Sequence, residues 1–291
     1  MSKKPDSTFL LTGFGFALFW ASASAAGKFG LRSVEPLTFF TIRFLAAGVI
    51  LLTVSHIILR YALPAGKEWW QVSIFGLFNT ALYLGIFIVA LQYVAASITT
   101  LAIALNPLLI SILSATFMRR KVAAKEWLSI FIGMAGVAVA TYPLLQTHHA
   151  TVGGVSLIAL CMLMYSIGSV YYASVSWKLQ RLVINGWQVL LGGLMLLPFA
   201  LISSQHENNY DANFWLSLFW LVVPVSIVAV QLWLRLLRDD AVRASIWLFL
   251  CPVFGLLYAT ILLHEPFSWF TFAGLILVMA AIYLGQVAKK T

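Results

Sequence analysis

One charged side chain stands inside a long apolar run: in PLTFFTIRFLAAG, Pro36 to Gly48, the charge is Arg43. Within membrane-length apolar segments such a group is costly, faces a protein or water-filled interior, and marks a functional site with a partner. It lies six positions into the run, roughly 9 Å below the nearer end at about 1.5 Å per residue. Two chemistries suit it. It can grip a carboxylate or phosphate of a solute, or it can pair with Glu35 or Glu265 to latch that end, with Lys28 adding charge at the rim. A structural ion pair, or an arginine capping backbone carbonyls, is the plain alternative. The nine acids (Asp6, Glu35, Glu68, Glu126, Glu207, Asp211, Asp239, Asp240, Glu265) all fall at the ends of apolar runs or between them. Proton relays draw on ionisable groups within a span, so a facilitator or exchanger is favoured over a strongly proton-coupled pump, although Glu35 and Glu265 remain able to titrate.

Pro107 and Pro252 each interrupt an apolar run. Each removes a backbone donor and crowds the preceding turn, which frees carbonyls near Ile103 and Leu248, with Asn106 beside the first proline. Interrupted helices in matching places point to a binding site; a simple kink is the alternative. Mid-run polar and aromatic side chains complete a candidate lining: Trp20, Ser24, Asn79, Tyr83, Asn106, Tyr165, Gln188, Gln231 and Trp247. Aromatic walls with a few amides and hydroxyls suit a small amphipathic organic solute. For any single one of these residues, helix–helix hydrogen bonding or interface anchoring serves equally well. Neither a phosphate-cradling glycine loop nor a hydrolase motif is present, so ATP-driven transport is not expected and no cofactor is called for. His148-His149 and His264-Glu265 lack the further ligands of a metal site, and Cys161 and Cys251 sit inside apolar runs as packing residues.

The elements that must position these groups are membrane helices. Of 291 residues 62% are hydrophobic and 9% charged, and mean hydropathy is +0.96; soluble domains carry roughly a quarter charged residues. Runs of about 20 apolar residues give ten spans: Phe9 to Gly27, Leu37 to Leu59, Gln71 to Gln92, Ala95 to Met118, Trp127 to Leu145, Val152 to Ala173, Val183 to Ile202, Phe214 to Leu234, Ala244 to Leu263 and Phe267 to Val287. The connections are short and leave no room for a soluble domain. With the N-terminus inside, every Lys and Arg except Lys28, Arg32 and Arg43 falls on the inner side, so both termini are expected in the cytoplasm. The +9 charge is spread between apolar runs rather than clustered, which argues against a nucleic-acid partner.

An offset of 145 residues aligns the two halves almost without gaps: Trp20 meets Tyr165, Ser24 meets Ser169, Gly48 meets Gly193, Trp70 meets Trp215 and Pro107 meets Pro252. A five-span repeat inserts its second copy upside down, an architecture of transporters with the substrate near mid-membrane. The repeat also bears on ALFWASASAAGKFG, Ala17 to Gly30, whose Ala-Ser-Ala triplets mimic a signal-peptide cleavage site. Its counterpart, ALCMLMYSIGSVYYA, is internal, so the first span is expected to stay uncleaved and to use its small residues for close packing or cavity lining.

FWASASAAGKFGLRSVEPLTFFTIRFLAAG resembles the opening of EamA-type members of the drug/metabolite transporter superfamily, in the spacing of Trp20, Lys28, Pro36 and Arg43. GWQVLLGGLMLLP and VRASIWLFLCPVFGLLYATILLHEPFSWFTFAGLILVMAAIYLG are similar to the family's second repeat, including Pro252, Glu265 and Gly274. Three positions depart: Ala21 and His264 stand where the family has Gly, and Arg120 where it has Glu. The resemblance implies an all-α integral membrane protein of ten helices in two inverted repeats around a central cavity. The expected organisation is a cytoplasmic N-terminus (1–8), a first repeat (9–145), an outer linker (146–151), a second repeat (152–287) and a cytoplasmic tail (288–291). The expected activity is secondary transport by alternating access, outward, of a small metabolite such as an amino acid. Trp20, Tyr83, Asn106, Tyr165, Gln231 and Trp247 are expected in the cavity, Lys28, Arg43 and Glu265 at the gate, and Pro107 and Pro252 as hinges, in a monomer of the bacterial inner membrane that meets only lipid and its solute. The second reading is a membrane enzyme acting on a lipid or isoprenoid-linked substrate, with His264-Glu265 as its catalytic pair.

Overall fold

A chain placed in hydrocarbon must satisfy every backbone N–H and C=O within its own segment, and uniformly apolar runs do so as helices. A computed structural model describes residues 7–90, 93, 102–145, 152–203, 208–263 and 269–287. Among these residues the chain runs through α1 (Ser7–Gly30), α2 (Pro36–Ile58), α3 (Lys67–Ala90), α4 (Asn106–Phe117) and α5 (Ala124–Leu145). It continues through α6 (Val152–Ser174), α7 (Arg181–Ser203), α8 (Ala212–Asp239), α9 (241–263) and α10 (Trp269–Val287). Six stretches are long and apolar enough to cross a membrane: α1, α2, α3, Ser156–Ser174 of α6, α7 and α8. The chain is an all-helical, multi-pass membrane protein.

Several helices are irregular in a patterned way. Rare π-type turns, which often mark functional positions, widen α3 at Leu77–Leu82 and α8 at Leu221–Ala229, where Pro224 lies within the turn. These stretches correspond under the 145-residue offset. A third π-type turn ends α2 at Thr53–Ile58, and α7 carries Pro198 at the position equivalent to Thr53. α4 opens at Asn106-Pro107 after a turn closed by Leu105 N–H to Ala102 O. In α9 a tightened 3₁₀ turn, Ile246–Phe249, precedes Pro252. Both prolines therefore follow a local break in the helix.

One connection differs from its sequence-based reading. The nine residues expected to join the eighth and ninth spans are almost wholly helical, because α8 extends to Asp239 and α9 starts at Ala241. Asp240 alone is extended, and its carboxylate accepts from the Val242 and Arg243 N–H groups, so an N-cap replaces a loop.

Packing follows a two-fold logic. α5 lies along α10 and α2 along α7, each pairing a helix with its counterpart in the other half. α1 packs on α8 and α9, while α6 packs on α3 and α4, so each half's first helix sits against the other half's third and fourth. The α2–α7 seam is close at glycine: a Cβ on Gly48 would come within 2.6 Å of Leu190 Cβ, and one on Gly193 within 3.0 Å of Phe44 Cβ. Small residues let membrane helices approach this closely.

Candidate functional site

A cavity of about 170 Å³ opens between the halves, lined from α1 by Trp20, Ala21, Ala23, Gly27 and Lys28, by Leu31 just beyond it, and from α2 by Phe40 and Arg43. α3 contributes Tyr83, Leu84 and Phe87; Ile103, Val225 of α8, and Cys251, Pro252 and Gly255 of α9 close the far side. The small residues of α1 thus form one wall, and Pro252 turns α9 past another. Of the residues singled out from sequence, the cavity brings together Trp20, Lys28, Tyr83, Arg43 and Pro252.

Behind this wall an aromatic stack supports it. Tyr165 lies 4.8 Å from Tyr83 and 6.2 Å from Trp20 between ring centroids, and is itself stacked on Trp233 at 5.9 Å, which in turn stacks on Phe16 at 4.7 Å. Offset and tilted pairs of this kind add about 0.5–1.5 kcal/mol each beyond area burial. Tyr165 is 2% exposed and backs the cavity rather than lining it.

Arg43 is 4% exposed, and its Nε donates to Ser226 Oγ at 3.0 Å. Its guanidinium carbon lies over Phe40 and Phe44, 5.3 and 5.2 Å from the ring centroids. Among the described residues the ion pairs are Arg120–Glu126 and Arg120–Asp240, so no described carboxylate neutralises Arg43. The position equivalent to Arg43 under the repeat offset is Gln188, and it makes the counterpart contact. Gln188 Oε1 accepts from Thr80 Oγ1 at 2.7 Å and from Asn79 Nδ2 at 3.3 Å, both in the widened turn of α3, as Ser226 is in that of α8. Asn185 joins the two clasps: its Oδ1 accepts from Gln188 Nε2 at 3.1 Å, and its Nδ2 donates to Ser226 O at 3.0 Å. The widened turn supplies that acceptor, since the Val230 N–H reaches back to Val225 O, five residues away. A buried polar chain therefore runs from the cavity through α2, α8, α7 and α3.

Asn79 and Gln188 belong to this chain and are not among the cavity-lining residues. Asn106 is buried between α4 and α6, donating to Met162 Sδ at 3.2 Å and accepting from Ser166 Oγ at 3.1 Å. Pro107 is buried beside it. Gln231 donates to Arg181 O at 3.2 Å, and Trp247 is buried against Gly13, where an added Cβ would collide with its ring. The Ser24 side chain, His264 and Glu265 lie outside the described residues. Ser226 and Thr80 were not legible as site residues, because hydroxyls are common in such helices, and Asn185 was not, because a single amide serves helix–helix bonding equally well. Two signals pointed there: Asn185 and Gln188 share a helix face at i, i+3, and Gln188 is the repeat partner of Arg43.

At the end rich in Lys and Arg, Arg120 bridges the halves. Its guanidinium bonds both Glu126 oxygens at 2.6 and 2.9 Å and Asp240 Oδ2 at 2.9 and 3.2 Å. The chain reaches this geometry by placing Arg119 at φ 52°, so that Arg120 N–H closes back on Ser114 O, a helix end usually made with glycine. Burial alone would lower the Arg120 pKa, but the hydrogen bonds from Glu126 and Asp240 outweigh it and hold the pKa above the ordinary arginine value.

A family model described as the EamA-like transporter family matches residues 7–142 and again 152–285. The chain belongs to the EamA-like transporter family. The two matched stretches of this EamA-like chain fall on α1–α5 and α6–α10. An uncharacterised transporter of Archaeoglobus fulgidus is 28% identical over 267 residues, 91% of this chain and 94% of its own. The inner membrane transporter YedA of Escherichia coli is 27% identical, covering 95% and 90% of the two chains. Protein PecM of Dickeya dadantii is 25% identical, covering 88% and 84%. A solved crystal structure shares the EamA-like chain's fold with a TM-score of 0.80 at 20% identity, over 96% of each chain. The EamA-like chain is therefore a membrane transporter.

Proposed function

We propose that the chain crosses the membrane ten times as two inverted five-helix repeats with cytoplasmic termini, and carries small organic metabolites, amino acids among them, outward by alternating access. The observation that carries this reading is the cavity between the halves, which gathers Trp20, Tyr83, Lys28 and Arg43 around Pro252. The two-fold pairing of helices and the matched π-type turns support a duplicated unit, and the Lys/Arg distribution supports the orientation. In the proposed cycle Pro107 and Pro252 are hinges, and Lys28, Arg43 and Glu265 form the outer gate. Trp20 and Tyr83, with Ser24, meet the solute, Tyr165 backs them, and Asn79, Asn106, Gln188, Gln231 and Trp247 hold the helices that carry them. The Arg120 clasp closes the cytoplasmic end while the cavity is loaded or emptied from the other side.

Counterflow in proteoliposomes tests the proposal, using a panel of amino acids, sugars, nucleosides, organic acids and organic amines with and without an imposed pH gradient. Saturable exchange of a small metabolite, insensitive to the gradient, is expected, and Arg43→Ala should abolish it while folded protein remains in the membrane. Wild-type flux in Arg43→Ala would remove that residue from the mechanism. Chemical conversion of a lipid by the purified protein, with no flux of any solute, would overturn transport itself.

A further inference from the structure

The cavity is positively charged and nothing described in its wall balances that charge. Arg43 is nine-tenths buried and lines it, and the described hydrogen bond of its guanidinium is to a neutral hydroxyl, Ser226 Oγ. Lys28 lines the same cavity at the mouth end of α1, and the described lining contains no Asp or Glu. Phe40 and Phe44 offer ring faces to the guanidinium, a contact that falls far short of the cost of burying an isolated charge. The repeat-equivalent residue, Gln188, makes the same kind of contact without any charge. The positive charge is thus not required by the helix packing that both positions share.

Resting on the transporter reading, we infer that the cavity favours small carboxylates of net negative charge, acidic amino acids among them, over neutral zwitterions and cations of equal size, because Arg43 and Lys28 face it and the described lining holds no carboxylate to receive an ammonium group. Like-charge juxtaposition in such a site is unfavourable and sets specificity. The rest of the wall is apolar and aromatic, through Trp20, Phe40, Tyr83 and Phe87. Its 170 Å³ compares with the roughly 150 Å³ that accommodates a benzene ring in an apolar protein cavity. A single ring bearing a carboxylate, or a short dicarboxylate, fits that space. Ser226, itself fixed through Asn185 and Gln188, acts as a positioning residue that aims the guanidinium.

The test uses the full chain in detergent and three probes of one shape and different charge: phenylacetate, phenylalanine and phenethylamine, with succinate as the ring-free anion. Thermal-shift titration should rank phenylacetate tightest, by about tenfold over phenylalanine, with phenethylamine weakest. Arg43→Gln should erase the ranking and Arg43→Lys should keep part of it. Should Arg43→Gln fail to fold, Lys28→Gln, at an exposed position near the end of α1, decides the matter by weakening anion binding at unchanged melting temperature. Equal or tighter binding of the amine, or no binding of either anion, overturns the inference. Counterflow of the same probes separates it from the transport reading. Flux that ignores charge leaves transport standing and removes the selectivity, whereas charge-ranked binding with no flux keeps the site and removes transport.

Discussion

Replacing the Ser226 hydroxyl is the smallest change that reaches Arg43, because it leaves the charge in place and removes the group that aims it. A hydrogen bond to a charged group contributes about 1.5–3 kcal/mol. Ser226→Ala should therefore lower the transport rate several-fold while the purified protein keeps a normal elution profile, and Ser226→Thr should recover most of it; equal rates in all three would show that Arg43 needs no aiming. A second residue-scale prediction lies outside the membrane. The Asp211 carboxylate caps α8 by accepting from Phe214 N–H at 2.9 Å, with Ser33 as a further donor, and these bonds hold its pKa below the usual aspartate range. A depressed folded-state pKa means the cap's contribution is complete above the unfolded value near 4 and fades as pH falls through the folded one. The melting-temperature gap between wild type and Asp211→Ala should thus be constant from pH 7 to about 5 and close in stronger acid.

At the scale of elements, close approach and broken regularity do different jobs. The α2–α7 seam depends on Gly48, where an added Cβ would meet Leu190 backbone at 2.9 Å as well as its side chain. Flexible side-chain ends can yield to an added group; backbone cannot. Gly48→Leu should destabilise the fold by about 1–3 kcal/mol or more, read as a lower melting temperature in detergent, with Gly48→Ala intermediate. The π-type turns of α3 and α8 work the other way, spending helix regularity to present Thr80 and Asn79 on one side and Ser226 on the other. The two turns overlap under the repeat offset, which is why Arg43 and Gln188 each find a polar partner in the widened turn of the other half.

At the scale of the whole molecule, the halves are joined at both ends as well as through the middle. At one end Glu35 N–H donates to Asn208 Oδ1 at 2.8 Å and Asn209 N–H to Ser33 O at 2.8 Å; at the other Arg120 holds Glu126 and Asp240. Glu126 is 2% exposed and would keep, among the described residues, only the Ala123 N–H as a donor, so Arg120→Ala leaves a buried carboxylate without a counter-charge, at a cost of about 3 kcal/mol. The melting temperature should drop accordingly, and Arg120→Glu should be worse because three carboxylates would then converge. Because the folded-state Arg120 pKa is raised, its contribution is complete below the unfolded arginine value and is lost only as pH rises through the folded one, so moderate alkali should leave the clasp intact.

Composition and period alone decided the class of this protein. Long apolar runs admit only helices in a bilayer, and the 145-residue offset relates the two stretches that the family model matches in turn, both of them local or linear properties. Arg43, Trp20 and Lys28 were legible because each is out of place in its own segment. Which residues meet was decided only by packing. Asn106 and Trp247 carry the same chemical promise as Tyr83, yet they are buried between helices while Tyr83 reaches the cavity. The direction of a side chain depends on how each helix is rotated, and in α3, α8 and α9 that rotation changes part-way along at π-type or 3₁₀ turns. Hydropathy does not register such turns, so the polar chain from Arg43 to Asn79 and the one-residue link at Asp240 emerged only when the two halves were folded against each other.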